Sequence, residues 1–156
     1  MWPKPESRPE GERVSAKPSL LFVCVKNAGK SQMAAALMRH HAGNLVDVHS
    51  AGTQPGHELN TQSVESLADI GVGIGDEHPK PMDPNLLATI DLVVVLGSEA
   101  SLVVPGGVEL RTWETDEPSQ RGIEGAERMR LIRDDINARV QALADEVNRS
   151  KIPEAE

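Results

Sequence analysis

Apolar residues along the chain fall into two unbroken runs, one alternating stretch and one long periodic stripe. The runs, Leu20-Leu21-Phe22-Val23 and Leu92-Val93-Val94-Val95-Leu96, have the length and β-branched content of strands covered on both faces. The first predicts a strand at about residues 20–25. Gln32-Met33-Ala34-Ala35-Ala36-Leu37-Met38-Arg39 follows it closely and predicts a helix over 31–41, ended by Gly43-Asn44. A short strand is expected at 46–50, before the turn-rich Ala51-Gly52-Thr53-Gln54-Pro55-Gly56. Asn60 is placed to cap a helix running through Ile70, with Val64, Leu67, Ala68 and Ile70 on its apolar side and Gly71 ending it. Residues 71–84 carry too many glycines and prolines for a long element. Asp83 and Pro84 then read as cap and first position of a short helix whose Leu86 and Leu87 pack inward. Residues 108–113 alternate and suit an edge strand. Met129, Ile132, Ile136, Val140, Leu143 and Val147 recur at spacings of three and four, which predicts one long amphipathic helix.

Strands separated by helices imply an α/β class: a single-domain, three-layer fold with a small four-stranded parallel sheet flanked by helices. A chain of 156 residues is long enough to bury one core without covalent staples. Residues 1–18 are rich in Pro, Glu, Ser and Arg without periodicity, and read as a flexible, inert N-terminal arm. The domain is expected over 19–150, with 151–156 as a tail. The formal net charge of −8 argues against nucleic-acid and acidic-membrane partners. No stretch approaches the 18 or so apolar residues a spanning helix needs, and no apolar leader is seen. A single cysteine excludes an internal disulfide and suits a reducing cytoplasm. No heptad or broad apolar surface stripe stands out, so a monomer is expected.

The chemistry concentrates at that one cysteine. Cys24-Val25-Lys26-Asn27-Ala28-Gly29-Lys30-Ser31 joins the first strand to the first helix, with a thiol where the strand ends and a cation where the helix starts. Backbone N–H groups of such a loop and the positive end of the helix dipole form a site for a tetrahedral oxyanion. The same field favours a thiolate over a thiol, so Cys24 reads as a nucleophile beneath an anion cradle. Gly29-Lys30-Ser31 also matches the end of a nucleotide-binding Walker loop. That loop needs glycine where Cys24 stands, and Leu92-Val93-Val94-Val95-Leu96 has no terminal Asp for magnesium, so the nucleotide reading is set aside. His40, His41, His49, His57 and His78 show no ligand spacing, and no metal is expected.

A cysteine, five residues, a cation and serine resembles the loop of the low-molecular-weight protein tyrosine phosphatase superfamily, which includes arsenate reductases of the same fold. Ser50-Ala51-Gly52-Thr53, Lys80-Pro81, Asp91 through Gly97, Trp113 to Pro118, and Arg133-Asp134-Asp135-Ile136 resemble further segments of that family in order. Ser31-Gln32-Met33-Ala34 is closest to the arsenate reductases. The resemblance implies that Cys24 is the nucleophile and that Val25, Lys26, Asn27, Ala28, Gly29 and Lys30 form the oxyanion loop. It also implies that Asn27 holds the loop's backbone, and that Ser31 hydrogen-bonds the thiolate besides its ordinary reading as a helix N-cap. Lys30 stands where the family has arginine, so charge is kept and the planar two-pronged grip is lost. Asp116-Glu117-Pro118 stands where the family has Asp-Pro, making either Asp116 or Glu117 the general acid.

Trp2, Phe22 and Trp113 are the only aromatics, which leaves little to flank a phosphotyrosine ring and points to a small inorganic ion. One cysteine precludes a three-cysteine relay within the chain. The resemblance therefore implies the single-cysteine branch, in which no cofactor is tightly bound, mycothiol is co-substrate and mycoredoxin completes the reduction. Glutathione with glutaredoxin is the chemical equivalent. Two other functions are compatible with the same loop: a phosphatase of small phosphoesters working through a phosphocysteine, and a non-catalytic oxyanion-binding module.

Overall fold

The computed structural model describes residues 17–151, so most of the predicted arm (1–16) and of the tail (152–156) lies outside the described residues. Four strands, β1 (Ser19–Cys24), β2 (Asp47–Gly52), β3 (Leu92–Leu96) and β4 (Glu109–Trp113), form one sheet in the order β2-β1-β3-β4. All three pairings are parallel, which is the four-stranded sheet predicted above. The helices are α1 (Lys30–Ala42), α2 (Thr61–Ala68), α3 (Pro84–Leu87) and α4 (Gly125–Lys151).

The two unbroken runs are central strands because each residue meets a core. Leu20 and Phe22 of β1 join Leu92, Val94 and Leu96 of β3 on one face, against Met33 and Leu37 of α1, Leu67 of α2 and the buried stripe of α4. Leu21 and Val23 join Val93 and Val95 on the other face, with Ile90 and the partly buried Leu86 and Leu87 of α3. Period-two alternation thus divides one apolar run between two cores. All six predicted stripe residues of α4 are buried, from Met129 to Val147.

One expectation is corrected. In α2 the buried side is Ser63, Ser66 and Leu67, whereas Ala68 faces solvent and Ile70, beyond the helix, is 41% exposed. The reason is close packing: Ser63 Oγ donates to Met129 Sδ of α4 (3.7 Å), and Arg133 Nη1 reaches the Ser66 carbonyl (3.0 Å). Small side chains let α2 approach α4, and bulk there would hold the helices apart. Asn60 does cap α2, its Oδ1 accepting from Ser63 N (2.8 Å).

The sheet order also positions the site. From β1 the chain crosses to β2 on one side and later returns to β3 on the other, so the C-terminal end of β1 is a point where the winding reverses. Ligands of open parallel sheets bind in the crevice at such points. Cys24 is the last residue of β1.

Candidate active site

Residues 25–29 cross from β1 to α1 with every carbonyl from Cys24 to Gly29 engaged. The amides of Thr53, Gln54 and Gly56 donate to Cys24 O (3.1 Å), Val25 O (2.7 Å) and Lys26 O (2.9 Å). Gln32 Nε2 donates to Asn27 O (3.2 Å), Asn60 N to Ala28 O (2.7 Å) and Met33 N to Gly29 O (2.8 Å). No peptide among the described residues is cis. In a trans peptide the N–H points opposite the carbonyl, so holding these carbonyls outward turns the following N–H groups inward. The result is a ring of donors over Cys24, at the start of α1. Gly52 is where the loop comes closest to β2. A Cβ there would lie 2.7 Å from Val25 O and 3.0 Å from Asn27 N.

Asn27 shapes the turn. Its φ of 54° is left-handed, the only such non-glycine among the described residues, and asparagine tolerates that region better than most side chains. The residue is fully buried. Its Oδ1 accepts from Lys80 N (2.9 Å) and Gln32 Nε2 (3.1 Å), which orients the amide so that Nδ2 donates to Ser31 Oγ (2.6 Å). Ser31 Oγ also accepts from Cys24 Sγ 3.0 Å away, and Asn27 N donates to that sulfur (3.3 Å). The sulfur is half-buried. The N-cap reading of Ser31 does not hold. Gly29 is the cap residue of α1, and Ser31 sits inside the helix with its hydroxyl committed to the thiol and Asn27.

Lys30 Nζ lies 3.8 Å from Glu117 Oε1. Glu117 is also gripped by Arg128 of α4, through Nε (2.7 Å) and Nη2 (3.1 Å), and by Ser119 Oγ (2.6 Å). The Arg128 hydrogen bond, with that from Ser119 behind it, lowers the Glu117 carboxyl from its usual 4.5 to about 2 against the opposing effect of burial. Asp116 is paired with Arg121 (2.8 and 3.1 Å), which holds its carboxyl below the usual range. Both candidate acids are therefore carboxylates at neutral pH in the unliganded protein, and the contact with Lys30 joins Glu117 to the loop.

The lowered carboxyl has a stability consequence. Between about 2 and 4.5 the unfolded chain binds the Glu117 proton and the folded protein does not, so this contribution is complete above that window and lost as pH falls through it. Glu117→Gln is expected to lower the melting temperature at neutral pH, and the gap from the native protein should close as pH approaches about 2. Melting curves at several pH values check it; a gap of constant size would show that Glu117 is not held by charge.

Three parts of the site were not singled out by sequence reasoning: Gln32, the close approach at Gly52, and the strap 77–80 that reaches Asn27 through Lys80 N. Gln32, Gly52 and Lys80 all lie in segments noted as family likenesses, Gly52 also in a turn-rich stretch and Gln32 also in the first predicted helix, without a role of their own. Among the described residues, no three His, Cys, Asp or Glu side chains gather as a metal site, and no helix is long and apolar enough to cross a membrane.

A sequence model of the family described as low molecular weight phosphotyrosine protein phosphatase matches residues 19–152. An arsenate reductase of Brevibacillus brevis is 34% identical over 132 residues, spanning 83% of this chain and 96% of that protein. An arsenate reductase of Bacillus licheniformis is 30% identical over 138 residues, spanning 83% and 97%. Among solved structures, the thioredoxin-dependent arsenate reductase of Corynebacterium glutamicum superposes with a TM-score of 0.77 at 34% identity, covering 90% of this chain and 67% of that one.

Proposed function

Because this chain belongs to the low molecular weight phosphotyrosine protein phosphatase family, we propose that its cysteine loop acts on arsenate and passes the arsenic to an external thiol. The observation that carries this reading is Cys24 Sγ at the start of a loop whose carbonyls are all engaged elsewhere, with Ser31 Oγ 3.0 Å and Asn27 N 3.3 Å from the sulfur. Arsenate docks on the amides of residues 25–30, and Lys30 turns from Glu117 toward it. The Cys24 thiolate attacks arsenic, an arsenic–oxygen bond breaks, and the oxygen departs as water once protonated. A small thiol then attacks the same arsenic, the arsenic–sulfur bond to Cys24 breaks, and the thiolate is restored. Arsenic remains pentavalent in the resulting adduct; its reduction uses the electrons of a second thiol, supplied by a redoxin.

Glu117 serves best here as the counter-ion that parks Lys30 and Arg128 between turnovers. For it or Asp116 to protonate the departing oxygen, the ion pairs of the unliganded protein would have to open. Arsenate carries protons of its own at neutral pH, so the step does not depend on that opening.

Two features favour an external thiol and a small ion. The chain has one cysteine, which cannot pass oxidation to a partner within the chain, in contrast to what a thioredoxin-coupled dithiol relay requires. Trp113, the one aromatic near the acidic segment, packs into the first core with its ring 5.9 Å from Phe22. Mycothiol with mycoredoxin is the proposed pair, glutathione with glutaredoxin the alternative, and both call for a reducing cytoplasm.

The test is NADPH consumption in a coupled assay of arsenate, mycothiol, mycoredoxin and its reductase, with glutathione and glutaredoxin in parallel. Consumption that requires arsenate, thiol and Cys24 is expected. Its absence with both thiols, in a protein that still binds arsenate, would sink the assignment. The cradle itself does not distinguish arsenate from phosphate, which supports a second reading: hydrolysis of small phosphoesters through a phosphocysteine. Brisk release of p-nitrophenol from its phosphate ester without added thiol would favour that reading.

A further inference from the structure

One residue that joins the loop to the rest of the fold makes no hydrogen bond to Cys24. Gln32, in the first turn of α1, is fully buried. Its Nε2 lies 3.2 Å from Asn27 O, 3.1 Å from Asn27 Oδ1 and 3.0 Å from His78 O. Three oxygens around one atom identify it as the nitrogen, since an amide oxygen there would face only acceptors. Its own Oε1 is buried with no hydrogen-bond partner among the described residues, a costly arrangement to keep unless the nitrogen's contacts matter.

The strap that Gln32 grips is anchored independently of the loop. Glu77 is bound between Arg39 of α1 and Lys80, and Gly52 N donates to Lys80 O (2.8 Å). Lys80 N donates in turn to Asn27 Oδ1. Strap and helix therefore converge on one residue, Asn27, whose left-handed backbone and side-chain orientation decide where Ser31 and the loop amides point.

We propose that Gln32 is a positioning residue: it locks Asn27 between α1 and the 77–80 strap, and so sets both the width of the oxyanion cradle and the hydrogen bonds to the Cys24 sulfur. For turnover this rests on the reading of Cys24 as nucleophile. Its test is chosen to be independent of arsenic chemistry.

Gln32→Met keeps the length and removes the donor, and Gln32→Asn keeps the donor but withdraws it by one methylene. If one variant fails to fold, the other carries the test. Two quantities are measured on each: arsenate affinity by calorimetry, and the rate of Cys24 alkylation by iodoacetamide at neutral pH. Leu143→Ala, a truncation in the α4 core, controls for general loosening. Losing a buried hydrogen-bond anchor is expected to weaken arsenate about tenfold and to slow alkylation several-fold, with Leu143→Ala leaving both near native. Native values in the Gln32 variants would overturn the proposal. So would an equal loss in Leu143→Ala, because the effect would then follow stability alone. A native protein that binds no oxyanion would instead overturn the reading of the loop as an anion site.

Discussion

Cys24→Ser is expected to abolish arsenate-dependent turnover, by about 10⁴-fold or more, while oxyanion affinity stays within a few-fold of native. The two outcomes separate because different atoms are responsible. Attack on arsenic requires the sulfur; a serine hydroxyl at the same place is a far weaker nucleophile and would not leave readily from arsenic in the second step. Binding requires the inward amides and Lys30, and these are held by partners outside the side chain of Cys24: Thr53, Gln54, Gly56, Gln32, Asn60 and Met33 on the loop carbonyls. Serine is close to cysteine in size and leaves these partners in place, so affinity is expected to be unchanged. Calorimetry with arsenate and phosphate, run beside the coupled assay, checks both halves. Residual turnover would dismiss Cys24 as the nucleophile. Loss of anion binding would mean that the thiol, and not the peptide ring, organises the cradle.

The strand, loop and helix around Cys24 were legible in the sequence because their pattern is local. A thiol, five residues and a cation between an apolar run and a helix former leave few geometries, and the same is true of the apolar runs β1 and β3 and the stripe of α4. What could not be read is what local pattern does not encode. Lys80 N reaches Asn27 across 53 positions, and nothing in a glycine- and proline-rich passage announces which amide will be used. The buried side of α2 takes in Leu67 as expected, but Ser63 and Ser66 in place of Ala68 and Ile70, because those serines pack against α4 by smallness, a property that apolar periodicity does not register. Gln32 left a trace that was legible. Every residue from Ser31 to Met38 is buried, so α1 has no solvent face there, and a glutamine amid such a run must find its partners inside the protein.

Gly52→Ala is expected to lower kcat/KM by two orders of magnitude or more and to destabilise the fold by about 1–3 kcal/mol. The argument is steric. The added carbon would stand 2.7 Å from Val25 O, and 3.0 Å from both Asn27 N and Asn27 Cβ. These neighbours are backbone or are bound to it, and they cannot yield separately: Val25 O is fixed by Gln54 N at 2.7 Å, and Asn27 by Lys80 and Gln32. Either β2 retreats from β1, against a ladder that pairs Cys24 with Gly52, or the loop shifts and its amides leave the positions an oxyanion needs. A displacement of about 1 Å in a positioned site is enough for a hundredfold loss. Gly56→Ala supplies the contrast within the same strip of chain, since its added carbon would meet Lys26 Cβ and O at 3.8 and 3.9 Å, ordinary contact distances. That variant should melt and turn over almost as the native protein does. Equal behaviour of the two alanines would mean that the crevice at the end of β1 can widen at little cost, and the tight seating of the loop on β2 would then have no part in forming the cradle.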